Sequence, residues 1–219
     1  MVPVLFEWLG QRLWISPQRC IFWEDQRALL LSDLHVGKAA HFRKAGIAVP
    51  QQIFQDDLQR LFHQVHHFKP TKIIITGDLF HSHSNAEHDW FGRWRETLTN
   101  TDVLLVRGNH EILSDEAYAG LGIEVVGHHY ALDCFSFAHT LPDNTEVKQY
   151  HFTGHLHPGV RLNGRGKQAM VLPCFHFTST HCILPAFSRF TGKHIIEPAS
   201  DDHVFAVVDD GNSPLVVKM

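Results

Sequence analysis

The apolar positions of this chain fall into runs of two different periods, and the change from one to the other predicts its elements. Val4 to Trp8, Arg12 to Ile15 and Cys20 to Trp23 are strand-like pieces broken by Gly10, Pro17 and the polar Glu24-Asp25-Gln26, which predicts an antiparallel lead-in. Three buried strands follow, Ala28 to Leu31, Lys72 to Thr76 and Asp102 to Val106, each running directly into a polar cluster. Between them the spacing becomes helical. Gln51 to Phe68 repeats Phe54, Leu58, Leu61, Phe62 and Val65, and Ala86 to Leu98 carries Trp90, Trp94 and Leu98 on one face. The HFRKAGIAVP segment before the first helix reads as a loop, punctuated by glycine and proline. Strands alternating with helices imply a parallel sheet whose functional groups gather beyond the carboxyl ends of the strands.

From Ile123 onward the long helices stop. Ile123 to Val126, Tyr130 to Ala138, Gln149 to Thr153, Gln168 to Phe177, His181 to Phe187 and Val204 to Val208 are short strands, expected to form a second, antiparallel or mixed sheet packed on the first. No repeat or linker divides the sequence, so residues 1–219 are expected to be a single α/β domain.

Composition narrows the function classes. A net charge of −4 excludes a wholly cationic surface of the kind that binds nucleic acid by charge alone, so any phosphate-rich partner must be held locally. The N-terminal MVPVLFEWLGQRLW has no basic leader region, and no apolar run reaches the length of a membrane span. The protein is therefore expected to be cytoplasmic, with no membrane partner. Cys20, Cys134, Cys174 and Cys182 lack a CxxC pair and read as reduced structural thiols, although Cys174 and Cys182 lie on adjacent predicted strands. The unusual number is nineteen histidines. His63, His66 and His67 crowd the last turns of the first long helix and are expected on its surface, where imidazole suits the negative helix end.

The chemistry lies at the strand ends. In chain order the groups placed there are Asp33 and His35, then Asp78, Asn109 and His110, His139, and His155 with His157. In an extended chain Asp33 and His35, two residues apart, face one spot. Carboxylates, an amide oxygen and imidazoles without thiolate suit manganese, iron or zinc better than copper(I) or an iron–sulfur cluster. They are also too many for one tetrahedral site and fit two divalent ions sharing a carboxylate. Two readings of Asn109 stand side by side, ligand or turn residue, since Gly-Asn is turn chemistry by itself. Glu111 either orients a ligand imidazole or opens a helix.

The motifs D-x-H, G-D, G-N-H-E and G-H-x-H, in this order from Leu31 to Pro158, resemble the calcineurin-like metallophosphoesterase superfamily. The longer phrase SDLHVGKAAHFRKAGIAVP, with GDLFHS, RGNHE, GHLHP and LPAFxxFTG, is similar to the PdeM family of DNA-ligase-associated bacterial metallophosphoesterases. Lys193 stands where that pattern leads one to expect glycine. The resemblance implies a four-layer αββα sandwich of two mixed sheets flanked by helices. It implies that Asp33, His35 and His157 hold one metal and Asn109, His139 and His155 the other, with Asp78 bridging and His110 left for catalysis. His128 and His129 compete with His139 for its place. The implied cofactors are two divalent ions, foremost Mn2+, with iron or zinc as alternatives. The implied activity is a metal-dependent phosphodiesterase and DNA endonuclease in repair, associated with a DNA ligase and a helicase; no feature of the sequence fixes an oligomeric state.

A metal pair of this kind activates water and neutralises phosphate oxygens, and a histidine outside the ligand shell, His110, is placed to protonate the departing alkoxide. Lys38, His41, Arg43 and Lys44 around the first motif, and Arg161, Arg165 and Lys167 after the last, either track a phosphodiester backbone or are solvated loop charges. Lys38, Arg43 and His81 are the candidate substrate contacts among them and beside them. The loop that carries His81, with His83 and His88 following, reads equally as exposed and flexible. Hydrolysis of small or cyclic nucleotides is the same-fold alternative, and a non-catalytic scaffold on this fold is the alternative of another class.

Overall fold

The first sheet is laid down in the order in which the chain makes its strands: β1 (Val4–Trp8), β2 (Gln11–Ser16), β3 (Cys20–Trp23), β4 (Ala28–Leu31), β5 (Lys72–Thr76), β6 (Asp102–Val106) and β7 (Ile123–Val126). In this computed structural model the described residues are 2–50, 52–82, 86–142, 149–164, 168–209 and 214–219. The tight turns at Gly10, Pro17 and Arg27 keep β1 to β4 antiparallel, as the lead-in pattern requires. From β4 to β7 every pairing is parallel, and the connections carry the helices α1 (Lys38–Lys44), α2 (Gln52–Phe68), α3 (Ala86–Glu96) and α4 (Asp115–Gly120).

Among the described residues the second sheet has nine strands: β8 (Tyr130–Leu132), β9 (Phe135–Phe137), β10 (Tyr150–Thr153), β11 (Pro158–Asn163), β12 (Ala169–Phe177), β13 (His181–Ile183), β14 (His194–Ile195), β15 (His203–Val208) and β16 (Leu215–Lys218). It is mixed, because β10 lies parallel to both β9 and β13 while β12 is antiparallel to β11, β13 and β15. The molecule is thus an α/β arrangement of two mixed sheets flanked by helices.

Strand alternation builds the layers. On β5, Ile73 and Ile75 face Phe54, Leu61, Phe91, Trp94 and Tyr118 of the helices, whereas Ile74 points the other way, toward Phe135, Phe152 and Phe175 of the second sheet. A continuous apolar run is what a strand covered on both faces must show. A smaller cluster, Val160, Leu172, Cys174, Val204 and Ala206, lies within the second sheet.

The structure also differs locally from the sequence reading. The segment expected to be a loop after the first motif contains α1, whose single buried residue, Ala39, leaves no periodic signal. Ile123 to Val126 joins the first sheet, parallel to β6, instead of opening the second. Tyr130 to Ala138 is a hairpin, β8 and β9, broken at Asp133, which has a φ of 53°. Phe62, counted on the buried face of its helix, is exposed and stacked on His66. The strand expected over His181 to Phe187 ends at Ile183, and α4, β11, β14 and β16 are short elements that the pattern did not reveal. All four cysteines are free. No helix among the described residues is long and apolar enough to cross a membrane.

Candidate metal centre

Beyond the carboxyl ends of β4 and β5 the chain does not stop pairing. Asp33 N–H donates to Gly77 O, His35 N–H to Asp78 O and Val36 N–H to Leu79 O, so the two polar loops run side by side as a continuation of the sheet. They are not extended strands. Asp33, His35 and Asp78 have φ values of 55°, 50° and 50°, and His155 and His157 have 66° and 49°. The left-handed region is costly for residues with a Cβ, and its repeated use at one place marks a site held in shape by its surroundings. The expectation that an extended Asp-x-His would aim both side chains at one point is therefore corrected: the two groups converge through successive left-handed kinks.

Two clusters result. Asp33, His35 and His157 bring one ligand atom each to within 4.8 Å of one another, and Asp33, Asp78 and His139 do the same. In the first, His157 Nε2 is 3.2 Å and His35 Nε2 3.8 Å from Asp33 Oδ1. In the second, His139 Nε2 is 3.3 Å from Asp78 Oδ1, and His155 Nδ1 is 3.3 Å from His139 Nε2. Asp33 belongs to both, so the clusters adjoin. Both carboxylates are fully enclosed, as are the imidazoles of His35 and His139.

Close approach of the loops depends on glycine at Gly77, Gly108 and Gly154, where a Cβ on Gly108 would run into Asp78. A Cβ on Gly77, itself at φ 83°, would run into the ring of His139. One on Gly154 would strike Ser32 Oγ and come within 2.6 Å of Asp33 Oδ2. Gly154 N–H instead donates to His139 O and His155 N–H to Asp33 Oδ2, which ties the G-H-x-H loop of the second sheet to the first. The Ser32 hydroxyl, 2.5 Å from Asp33 Oδ2 and 2.8 Å from Thr76 O, fixes the other side of that carboxylate.

The electrostatics differ from group to group. Burial opposes the charge on Asp33, but hydrogen bonding to His157 and the nearby His139 and His35 outweigh it and hold the carboxyl below its ordinary range. Asp78 is likewise buried yet held well below its ordinary range by His139, the His110 N–H and His35. His35 is pushed down to about 3, first by burial and then by the Lys38 ammonium. His139 goes the other way, to about 9: burial is overcome by Asp78, Asp33 and the Thr76 carbonyl that faces its Nδ1 at 2.8 Å.

The remaining predicted residues spread around this centre. Asn109 and His110 are exposed at its mouth, where His110 N–H donates to Asp78 Oδ1 at 3.0 Å. His81 stacks edge-on against His35 at 5.3 Å and sits 5.2 Å from His110, with its pKa driven down to about 4 by burial and by Lys38. Lys38 opens α1 half-buried, and its pKa is lowered by that burial against the pull of Asp33 and Asp78. Arg43 instead pairs at 2.8 Å with Glu87, whose other oxygen accepts from Gly37 N–H; it braces α1 against α3. His128 and His129 are exposed on the approach to β8, and His129 lies beside His151. Arg161 is exposed on β11, while His83, Arg165 and Lys167 fall outside the described residues. His88 is buried against the ring of Phe80. His63, His66 and His67 are exposed on α2.

Glu111 takes neither of the roles considered for it. One carboxylate oxygen accepts from Leu79 N–H at 2.8 Å and the other from the Tyr118 hydroxyl, so it pins the loop that carries Asp78. Burial raises its pKa. The contacts that Ser32, Glu87 and the segment from Pro185 to Lys193 make could not be read from the sequence, because their partners lie far away in the chain.

Whether metal fits can be tested on unmet needs. Both ring nitrogens of His35 are buried without a hydrogen-bond partner among the described residues, and Asp33 Oδ1 meets only the His157 ring at 3.2 Å, an arrangement that costs free energy unless something electrophilic joins it. A carboxylate oxygen and an imidazole nitrogen left open at one point, with a second carboxylate–imidazole pair adjoining, fit divalent metal. Such a centre at the strand ends of an α/β sandwich defines a metal-dependent phosphoesterase. The chain belongs to the calcineurin-like phosphoesterase family, whose model matches residues 26–173, and that family depends on a dinuclear metal centre.

Among solved structures, Pseudomonas putida nuclease MPE is similar at 32% identity, with 93% of this chain and 96% of that one covered and a TM-score of 0.78. The phosphoesterase Yfce of E. coli is 14% identical with a TM-score of 0.46, covering 88% of this chain and 97% of its own. Zinc-complexed Vps29 of Entamoeba histolytica is 13% identical with a TM-score of 0.39 over the same shares. No curated protein matches the chain.

Proposed function

We propose that this protein is a manganese-dependent phosphodiesterase that cuts DNA as an endonuclease in repair, with residues 1–219 acting as one domain. One observation carries the reading: the likeness to a nuclease extends over 93% of the chain at 32% identity. In this proposal Asp33, His35 and His157 hold one ion, Asn109, His139 and His155 the other, and Asp78 lies between them. When bound, the ions supply an activated water and neutralise the oxygens of the scissile phosphate.

The chain's own residues do the rest. His110, exposed at the mouth with its backbone anchored on Asp78, hands a proton to the departing alkoxide. Lys38 faces Asp33 and Asp78 closely enough to feel both, and its ammonium is offered to a non-bridging phosphate oxygen. His81, pressed between His35 and His110, orients the substrate edge. Work beside a DNA ligase and a helicase, in the cytoplasm, belongs to the same proposal.

The test is turnover of supercoiled plasmid, single-stranded DNA and a chromogenic phosphodiester by chelator-stripped protein reloaded with manganese, zinc or magnesium. Manganese should restore cleavage of all three. Turnover of small or cyclic nucleotides with intact DNA would move the substrate class, and failure on every diester with every metal would end the hydrolase reading.

A further inference from the structure

The segment Pro185 to Lys193 is fastened beside Asp33 and, through the neighbouring His194, beside His157 of the metal centre, and its basic residues have no part in the reaction described above. Phe187 N–H donates to Ser32 O and Ser188 N–H to Asp33 O at 3.1 Å, beside the first motif. His194 N–H donates to His157 O, and the pairing of β14 with β11 sets Pro158 opposite His194, which holds Lys193 next to the last motif. Arg19 reaches the same segment from the turn before β3, its guanidinium donating to Ala186 O and Ser188 O.

These residues form a small cleft, about 20 Å³ within its mouth and open to solvent beyond, lined by Arg19, Arg189 and Lys193, with Thr191 and the candidate metal ligand His157 on its walls. None of the described residues lining it is acidic. The nearest carboxylate partner is Asp209, 2.6 Å from the Arg189 guanidinium, and the Asp57 carboxylate below is already matched by the buried Arg60 at 2.7 Å. Three cations against one carboxylate leave the cleft positive. Arg19 shows the strain of this: burial, together with Arg60 and Arg189, lowers its pKa to about 10.

We infer that this cleft is a second phosphate subsite, which takes the phosphate next to the scissile one along a polynucleotide strand. The inference rests on the phosphodiesterase reading and sharpens it. Because His157 lines the cleft and also stands beside Asp33, a phosphate seated on Arg19, Arg189 and Lys193 would neighbour the reacting one along the strand. The substrate must then carry at least two phosphates. Guanidinium groups suit that role through paired, planar donation, and Lys193 adds a mobile charge at the rim.

The experiment has two arms. In the first, chelator-stripped protein is titrated with inorganic phosphate by calorimetry, which requires no metal; Lys193→Ala and Arg189→Ala should each weaken binding about fivefold, whereas Arg93→Ala, a charge-matched change on α3, should not. In the second, the manganese-loaded protein is given a thymidine dinucleotide bearing a terminal phosphate at its 5′ end, at its 3′ end or at neither. One terminal phosphate should raise kcat/KM about tenfold, and Lys193→Glu should bring that ratio back to near one. Cleavage of all three dinucleotides at equal rates would overturn the subsite and leave the hydrolase intact. Phosphate binding that depends on Lys193 without any diester turnover would keep the anion cleft and sink the hydrolase reading instead.

Discussion

The two halves of the candidate centre are built from the same residue types and stand in opposite electrical states. In the half with Asp33 and His157 both ring nitrogens of His35 lack partners among the described residues, and His35, its pKa near 3, is neutral throughout the physiological range. Around Asp78 and His139 each group is met by another: His139 is held between Asp78 and the Thr76 carbonyl, and its pKa near 9 means that it keeps its proton at neutrality. One half waits open for a cation. The other carries a proton as a stand-in, which any metal must first displace. The two imidazoles differ because burial prevails at His35, whereas at His139 the hydrogen bond to Asp78 and the nearby carboxylates overcome it.

The largest effect that would break this comparison is the loss of the carboxylate that holds the second half. Asp78→Asn should abolish turnover and leave less than two equivalents of manganese bound, as read by metal analysis after desalting; full occupancy with full activity would remove Asp78 from the centre. His110→Ala should retain both equivalents yet lose about 10²-fold in turnover of an ester with a poor leaving group, since a general acid typically contributes that much or more. An unchanged rate on such a substrate would mean that the proton comes from elsewhere.

A smaller effect is expected where the sheets meet. Gly154→Ala forces a methyl into Ser32 and Asp33 and should cost about 1–3 kcal/mol in chemical denaturation, with the Asp33 half losing its metal first. A variant as stable as the parent would show that the two motifs are less closely held than their hydrogen bonds imply.

The subtlest test is pH. The folded pKa of His139, near 9, lies above the unfolded value near 6.5, so its contribution is complete below about pH 6.5 and is lost as pH rises toward 9. His35 has the opposite sign: its folded value lies near 3, so metal-free stability falls as pH drops below about 6.5 and the unfolded chain takes up the proton. Urea titrations of chelator-stripped protein should therefore show greatest stability near pH 6.5, and manganese affinity should climb between pH 6.5 and 9. A stability profile flat across that alkaline range would refute the proton on His139.

Much of the first sheet was legible in the chain itself. Ala28 to Leu31, Lys72 to Thr76 and Asp102 to Val106 are apolar on both faces, and a run of that kind has few places to go but the middle of a parallel sheet. Asp33, Asp78 and His139 could be singled out because they follow buried strands directly. What failed was whatever is too short for a period, such as α1 and α4, or depends on a remote partner, such as the turn within Tyr130 to Ala138. Arg43 shows the limit well. Its position beside the first motif suggested substrate, but its pairing with Glu87, 44 residues away in the chain, could not be read there.

The sequence by itself determined which residue types end the strands, and with them the class of chemistry. Only the tertiary structure decided that Asp33 is common to both clusters, that His35 and His139 have pKa values displaced in opposite directions, and that Arg19, Arg189 and Lys193 share a cleft with His157. The reason is that ligand identity is a local property of a residue, whereas charge state and convergence are set by neighbours that the fold supplies from both sheets.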